Sequence, residues 1–397
     1  MKIVEINTCN YGSTGRIMLQ IAKTANQNGH KCWIAIPKGR HNKTSDYKNT
    51  IWIGNRLAED FHIMVGRITG LQGCCSIIAT RCFLKEIEKI KPDIIHIHNL
   101  HNSYINIPML FNYIKKNNIK VIWTLHDCWA FTGHCPHFLI KECDKWERGC
   151  YNCPSYKEYP SSFVDHSKWM WKWKKKWFSG VKNMTIVTPS KWLAELTKKS
   201  FLGVYPVKVI SNGIDLNVFK LTPGNFKREN GIADKKVILG VAFDWEYRKG
   251  LDIFCKLAES IGEEYKIVLV GTNAELDKSL PQNIISIHKT QNQQELAEIY
   301  SDADVFFNPT REDNYPTVNM EAIACGTPVL TFNTGGSPES ILNDSCGSVI
   351  NTEDICEIRE AIDFIIKNRK VDCGEYASVF NMDKKNLEYM RLYEEIL

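Results

Sequence analysis

The chain has 397 residues, 44% of them hydrophobic and 24% charged, with a formal net charge of +5. This is globular composition sufficient for two or three domains, and it excludes a disordered tail protein. No run approaches the roughly 18 consecutive apolar residues of a spanning helix, the N-terminus lacks a secretory h-region, and fifteen scattered cysteines suit a reducing compartment, so a cytoplasmic protein is expected.

The net charge conceals an asymmetry. Thirty Lys and Arg stand against fourteen Asp and Glu in residues 1–205 (+16), and twenty against thirty-one in residues 206–397 (−11). A basic half points to an anionic partner such as phosphate, nucleic acid or the cytoplasmic membrane face, or else to a solvated lysine-rich surface.

Short apolar runs alternate with amphipathic stretches along the chain. In the first half, strands are expected at residues 2–7, 31–36, 93–98, 121–127 and 185–188, each followed by helical periodicity, which makes a parallel sheet. The first strand runs into Tyr11-Gly12-Ser13-Thr14-Gly15-Arg16 ahead of a helix. Gly12 and Gly15 allow a ligand to approach the backbone, and the helix start offers N–H groups to a phosphate. The dinucleotide spacing is absent, and a structural turn explains these glycines equally well. Alternation in strand 93–98 puts His96 and His98 on one face, either as a metal pair or as core imidazoles. His126 ends strand 121–127 beside Asp127, where an imidazole can hydrogen-bond a phosphate or a sugar hydroxyl.

A cysteine-rich insert follows, with Cys128, His134, Cys135, His137, Cys143, Cys150 and Cys153 inside 26 residues. Cys150 and Cys153 form a C-x-x-C pair. With Cys135 and Cys143 they make a candidate structural zinc site, the alternative being a set of reduced, partly buried thiols. Residues 168–178 then interleave lysines with Trp169, Trp173 and Trp177 on one helical face. Such a helix can lie on an anionic bilayer, or its tryptophans can pack inward while the lysines reach water.

Residues 207–210 lead into the turn cluster Ser211-Asn212-Gly213-Ile214-Asp215, and a domain boundary is placed there. Second-half strands are expected at 237–243, 265–270, 284–288, 305–308 and 328–332, with helices near 250–261, 292–301, 317–325 and 354–368. The reading is therefore α/β: two doubly wound domains, 1–205 (insert about 128–165) and 206–373, then a helix at 374–397, with ligands in the cleft at the C-terminal strand ends. Arg248, Lys249 and Gly250 open a helix where a diphosphate would sit. Farther on, Pro316 suits a first helical position, which leaves Asp313 in the preceding loop and Glu321 just over one turn in. N–H groups for phosphates, Glu321 for ribose and Asp313 for a hexose would suit a nucleotide sugar.

Jointly, several segments resemble the retaining glycosyltransferases of family 4, which have the GT-B fold. They are Gly12-Ser13-Thr14-Gly15, Thr124-Leu125-His126-Asp127, Thr188-Pro189-Ser190, Asn212-Gly213-Ile214-Asp215 with Phe219, Arg248-Lys249-Gly250, Glu321-Ala322, Ala324-Cys325-Gly326-Thr327-Pro328-Val329 and Gly335-Gly336-Ser337-Pro338-Glu339. The insert and residues 93–101 resemble the subgroup associated with colanic acid, capsule and O-antigen synthesis.

The resemblance implies an acceptor-binding N-terminal domain and a C-terminal domain that binds a UDP- or GDP-sugar. It further implies hexosyl transfer with retention to a glycan or lipid-pyrophosphate-linked acceptor, with no catalytic metal. A last helix crossing back to the first domain, peripheral contact with the anionic inner membrane face and no nucleic-acid partner complete the expectation. His126, Lys249, Asp313 and Glu321 would be catalytic. Donor contacts would come from Gly12, Gly15, Arg248, Glu312, Asn314, Tyr315, Pro316 and Thr317 as well. Two departures from the family pattern stand out: Asp313, preceded by Glu312, occupies a position usually held by Glu, and Gly240-Val241-Ala242-Phe243 lacks the usual arginine, for which Arg248 would substitute. A nucleotide-sugar epimerase of the same fold and a non-catalytic, zinc-stabilised membrane adaptor are the alternatives. The basic first half argues against the epimerase, and the retention of Lys249 with Glu321 argues against the adaptor.

Overall fold

The computed structural model describes residues 1–39, 42–368 and 373–397; residues 369–372, at the end of the expected second domain, lie outside the described residues. The chain divides into two compact units, Met1–Ser211 with Asp383–Leu397, and Asn212–Met382.

In the first unit, strands β1 (Lys2–Ile6), β2 (Lys31–Pro37), β3 (Thr50–Ile53), β4 (Ile94–Ile97), β5 (Lys120–Thr124), β6 (Met184–Thr188) and β7 (Val207–Val209) form one sheet. Its order is β3-β2-β1-β4-β5-β6-β7, and every pairing is parallel. Helices α1 (Gly12–Gln27), α2 (Arg56–Thr69), α3 (Ile77–Ile90), α4 (Ile107–Asn117), α5 (Ser167–Phe178) and α6 (Lys191–Lys199) supply the crossovers. The second unit holds α7 (Phe226–Glu229), β8 (Lys236–Val241), α8 (Leu251–Ser260), β9 (Tyr265–Val270), α9 (Ala274–Asp277), β10 (Ile284–Ile287), α10 (Gln293–Asp302), β11 (Val305–Asn308), α11 (Thr317–Ala324), β12 (Val329–Phe332), β13 (Gly347–Ile350) and α12 (Ile355–Asn368). Its sheet, again all parallel, runs β10-β9-β8-β11-β12-β13.

Both sheets are buried on two faces, because successive strand residues serve opposite layers. In β1, Ile3 joins a cluster with Met18, Ile21 and Ala25 of α1, whereas Val4 and Ile6 join one with Phe83, Leu110 and Phe111. The last helix, α13 (Met382–Glu395), returns to the first unit and places Tyr389, Met390, Leu392 and Tyr393 in the α1 layer. The second unit repeats the plan, with α10 and α11 on one side and α8 and α12 on the other.

Three sequence expectations need correction. Strands β3 and β13 were not expected, since each has only four residues and no clear alternation. Residues 207–210, placed in the second domain, instead form β7 at the edge of the first sheet, paired with β6. Pro316 is the residue before α11, with φ −69° and ψ 117°, not its first helical residue. A proline there still fits, because it needs no N–H partner and holds the chain extended as it enters the helix.

Each sheet reverses its winding once, between β1 and β4 and between β8 and β11. Doubly wound sheets bind ligands beyond the C-terminal strand ends at that reversal, because the two flanking loops diverge to opposite faces and open a crevice.

Candidate active site

The second unit's reversal collects most of the residues singled out from sequence. The loop after β8 carries Arg248 and Lys249 in a single helical turn (Tyr247–Lys249) that ends at Gly250. Gly250 has φ +74°, and a Cβ there would lie 2.4 Å from the carbonyl oxygen of Pro309, so only glycine lets this turn rest against the loop after β11. The two loops are then joined: Arg311 N–H donates to the Arg248 carbonyl at 2.9 Å, Arg248 Nη1 donates to the Glu312 carbonyl at 3.1 Å, and Lys249 Nζ meets Asp313 Oδ2 at 2.7 Å. Gly335 supports the far side, since a Cβ there would fall 1.8 Å from the Asp313 carbonyl oxygen, which accepts from the Gly336 N–H at 3.1 Å. Glu312, Asn314 and Tyr315 are buried in this loop, and Thr317 begins α11. Glu321, on the same helix, accepts a hydrogen bond at 3.2 Å from Tyr300, whose side chain lies in the core.

Arg311, given no role from sequence, clamps the site. Its guanidinium pairs with both oxygens of Asp252 (2.8 and 2.9 Å) and both of Glu353 (2.6 and 2.8 Å), and it sits 3.8 Å from the Tyr247 ring centroid. These charge-assisted forks hold the Asp252 and Glu353 carboxyls below their usual range. Tyr247 and Asp252 bracket Arg248 and Lys249 in the chain, so Arg311 fixes the turn that presents them.

The first unit's reversal holds a second constellation. Gly12 and Gly15 lie at the start of α1; Gly12 has φ +67°, and a Cβ on Gly15 would come within 2.7 Å of the Asn10 carbonyl carbon. The close approach of α1 to the preceding loop therefore requires a glycine at position 15. His126 and Asp127 follow β5. His98 Nδ1 is 2.9 Å from His126 Nε2, the two rings stack, and His98 Nε2 is 3.2 Å from Glu5 Oε2. Tyr393 of α13 donates to Glu5 Oε1 at 3.5 Å and lies 2.7 Å from His96 Nδ1, while His96 Nε2 meets Thr124 Oγ1 at 2.8 Å.

Among the described residues, Glu5, His96 and His98 are the one group of three or more metal-ligand side chains whose donor atoms lie within 4.8 Å of one another. Every imidazole nitrogen of the pair already has a protein partner, which favours the core-imidazole reading. Burial pushes the Glu5 carboxyl well up, His98 well down and His126 down to about 4. With all three neutral, Glu5 donates to His98 Nε2, His98 donates from Nδ1 to His126 Nε2, and the His126 proton resides on Nδ1. Burial alone would raise Asp127, but the charge and hydrogen bond of His101, 2.9 Å away, outweigh it and hold Asp127 at about 2.

Beside this network lies a pocket of about 450 Å³, lined among others by Thr8, Cys9, Tyr11, Glu59, Arg67 and Tyr159. Helix α5 departs from the inward-packing reading at Trp169 and Lys174, while Trp177 packs against the core and Lys172, Lys175 and Lys176 are exposed. Met170, Trp171, Lys174 and Phe178 form its buried face, while Trp169 is exposed. Lys174 does not reach water: its ammonium donates to the carbonyls of Trp129 (2.7 Å) and Thr132 (3.2 Å) and sits 3.3 Å from the Trp129 ring centroid. Cys135, Cys143, Cys150 and Cys153 all line one small cavity in the insert.

Comparison with known proteins agrees with this architecture. The profile of Glycosyltransferase Family 4 matches residues 14–218, and that of Glycosyl transferases group 1 matches residues 224–379. The chain is 23% identical over 275 residues to a protein of Escherichia coli (strain K12) that carries the name colanic acid biosynthesis glycosyl transferase WcaC; the alignment spans 67% of this chain and 66% of that protein. Among solved structures, sucrose-phosphate synthase from Thermosynechococcus elongatus superposes with a TM-score of 0.74 at 16% identity, covering 100% of this chain and 98% of that one. Anabaena Alr3699/HepE in complex with UDP gives 0.66 at 13% identity, covering all of both chains. These likenesses carry the GT-B fold class. With one profile covering more than half of its length, the chain belongs to Glycosyltransferase Family 4.

Proposed function

We propose that the protein is a retaining hexosyltransferase that draws on a UDP- or GDP-sugar bound by the second unit. It would serve a glycan or lipid-pyrophosphate-linked acceptor, bound by the first unit, in surface polysaccharide synthesis. The observation that carries the reading is the joining of Lys249, Arg248 and Asp313 with the start of α11 at the β8–β11 reversal. Two cations and helix N–H groups face the position of a diphosphate, where they would stabilise the negative charge that grows on the leaving group. Asp313 and the backbone around Asn314 would orient the hexose, and Glu321, steadied by Tyr300, would hold the ribose. Neutral at pH 7, His126 would serve as a hydrogen-bond partner for a sugar hydroxyl and not as a charge for phosphate. The UDP complex of Alr3699/HepE and the colanic acid context of WcaC support the donor and pathway class.

A thermal-shift panel of UDP- and GDP-sugars tests the donor. A ligand present at about 100 times its Kd adds about 2.7 kcal/mol of apparent stability, so one nucleotide class is expected to raise the melting midpoint and the other to leave it unchanged. A flat panel would count against the donor reading.

For the acceptor, α2 has two functional faces. Glu59, Ile63, Gly66 and Arg67 line the 450 Å³ pocket, whereas Leu57, Phe61, Met64 and Ile68 form an exposed apolar stripe. Exposed Phe163, whose N–H donates to the Arg67 carbonyl at 2.7 Å, extends the stripe. A stripe of this kind beside cationic Arg56 and Arg67, on the basic half of the chain, suits the interface of an anionic bilayer that carries the acceptor. Among the described residues no helix is long and apolar enough to cross a membrane. Anionic vesicles should therefore retain the protein at low salt and release it at high salt, each Lys or Arg near the surface contributing about 1 kcal/mol. Phe61→Ser with Ile68→Ser should weaken retention at every salt concentration. Co-sedimentation that is indifferent to both salt and the substitutions would remove this account.

A further inference from the structure

We propose that Cys135, Cys143, Cys150 and Cys153 bind one structural zinc ion, which fixes the insert against the first unit. The ligand chemistry is that of closed structural sites, four thiolates around a d¹⁰ cation that needs no open position. Separated by as much as eighteen positions, the four side chains are nonetheless brought around one cavity of about 10 Å³, room for a single atom-sized body. The thiols of Cys135 and Cys153 are hydrogen-bonded to each other. Two sulfurs already accept backbone amides, Cys150 from Gly133 N–H at 3.1 Å and Cys153 from Ser155. Such N–H···S bonds stabilise a thiolate and orient it, as outer partners of metal ligands do.

Two neighbours would also be served by a charged centre between the sulfurs. The fully buried ammonium of Lys174 has carbonyl and ring partners but, among the described residues, no ion pair with a carboxylate. A zinc tetrathiolate carries two negative charges and supplies the missing counter-charge, which four neutral thiols do not. His134 lines the same cavity, and its Nε2 is buried with no hydrogen-bond partner; a thiolate would provide the acceptor. No three of the four sulfurs stand within 4.8 Å of one another, so filling the site would require the Cys side chains to close onto the ion. Between β5 and α5 the chain has only one short helical turn, Lys145–Glu147, and the segment is held chiefly by side chains such as Trp129, Phe131, Phe138 and Trp146 in the core of the first unit. The segment also supplies Tyr159, Pro160 and Ser161 to the 450 Å³ pocket, which makes the ion a brace for that wall.

The test measures metal and does not depend on transferase activity. Full-length protein, purified under reducing conditions without chelator, should contain one zinc per chain by elemental mass spectrometry. Cys150→Ser and Cys153→Ser should each lower that content at least tenfold, while Cys255→Ser, outside the insert, leaves it unchanged. Because either insert variant can fail to fold, wild-type protein loaded with Co(II) provides a second readout, and the intense d–d and thiolate charge-transfer bands of a tetrahedral tetrathiolate are expected. Chelator should expose four further thiols to a colorimetric reagent and lower the melting midpoint. Substoichiometric zinc, an octahedral Co(II) spectrum, or a disulfide between insert cysteines in freshly reduced protein would overturn the proposal.

Discussion

Lys249→Ala is expected to lower turnover by about 10²- to 10³-fold, the loss seen when one preorganised group facing developing negative charge is removed, about 2.7–4 kcal/mol. Geometry makes the expectation sharper than a simple loss of activity. In the structure the Lys249 ammonium is held 2.7 Å from Asp313, both side chains being about four-fifths buried. A diphosphate arriving at this point would take over the lysine and leave the Asp313 carboxylate to the sugar hydroxyls. Lys249→Ala should therefore weaken UDP binding and turnover together. Asp313→Asn, which loosens the competing ion pair, should leave UDP affinity equal or higher while turnover falls. Calorimetric titration with UDP and steady-state kinetics on the two variants separate these outcomes. Wild-type turnover in Lys249→Ala, or weakened UDP binding in Asp313→Asn, would contradict the assignment of the pair.

What could be read from sequence was whatever lies close together in the chain. Periodicities of two and 3.6 mark most strands and helices to within a residue or two, because burial on both faces of a parallel sheet leaves long apolar runs separated by amphipathic helices. Arg248, Lys249 and Gly250 were legible as a helix-opening cationic turn, and residues 312–321 as a loop feeding a helix. Their juxtaposition followed from the winding rule for such sheets. Groups whose meaning comes from distant partners were not legible. Arg311 stood in plain view inside that loop, but its clamp closes on Asp252 and Glu353, 59 and 42 positions away. Glu5 reads as an early carboxylate until the sheet order places it against His98, 93 positions on. Lys174 sits in a lysine-rich run that spells a wet helix face, and only the carbonyls of the insert show why one of those ammonium groups is buried. A signal existed for the histidines, since ten of the eleven fall within the first 166 residues, a bias with no reason to arise on a merely solvated surface.

That concentration of histidines predicts a selective acid transition in the first unit. Burial pushes His62, His126 and His134 down to about 4, His96 to about 3, and His98 well below its ordinary value. A histidine whose folded-state pKa is depressed binds its proton more readily when unfolded, so the stability it contributes is complete above about pH 6.5 and is lost as pH falls toward 4. Glu5 acts in the opposite sense. Its raised pKa keeps a proton on the folded form across the same range, and this offsets about one of the five histidines. The net imbalance near pH 5.5 is several protons, a slope of roughly a few kcal/mol of stability per pH unit, against a total of about 5–15 kcal/mol for a typical domain. The second unit has only His288, which is exposed. Tryptophan fluorescence reads the outcome directly, because ten of the eleven tryptophans belong to the first unit and only Trp245 to the second. With chelator present throughout, so that thiolate protonation adds nothing, the fluorescence transition should fall between pH 6 and 4.5. Far-ultraviolet dichroism should then retain the second unit's share until lower pH. Coincident transitions by both probes, or an unchanged spectrum down to pH 4, would show that the buried imidazoles do not control the stability of this unit.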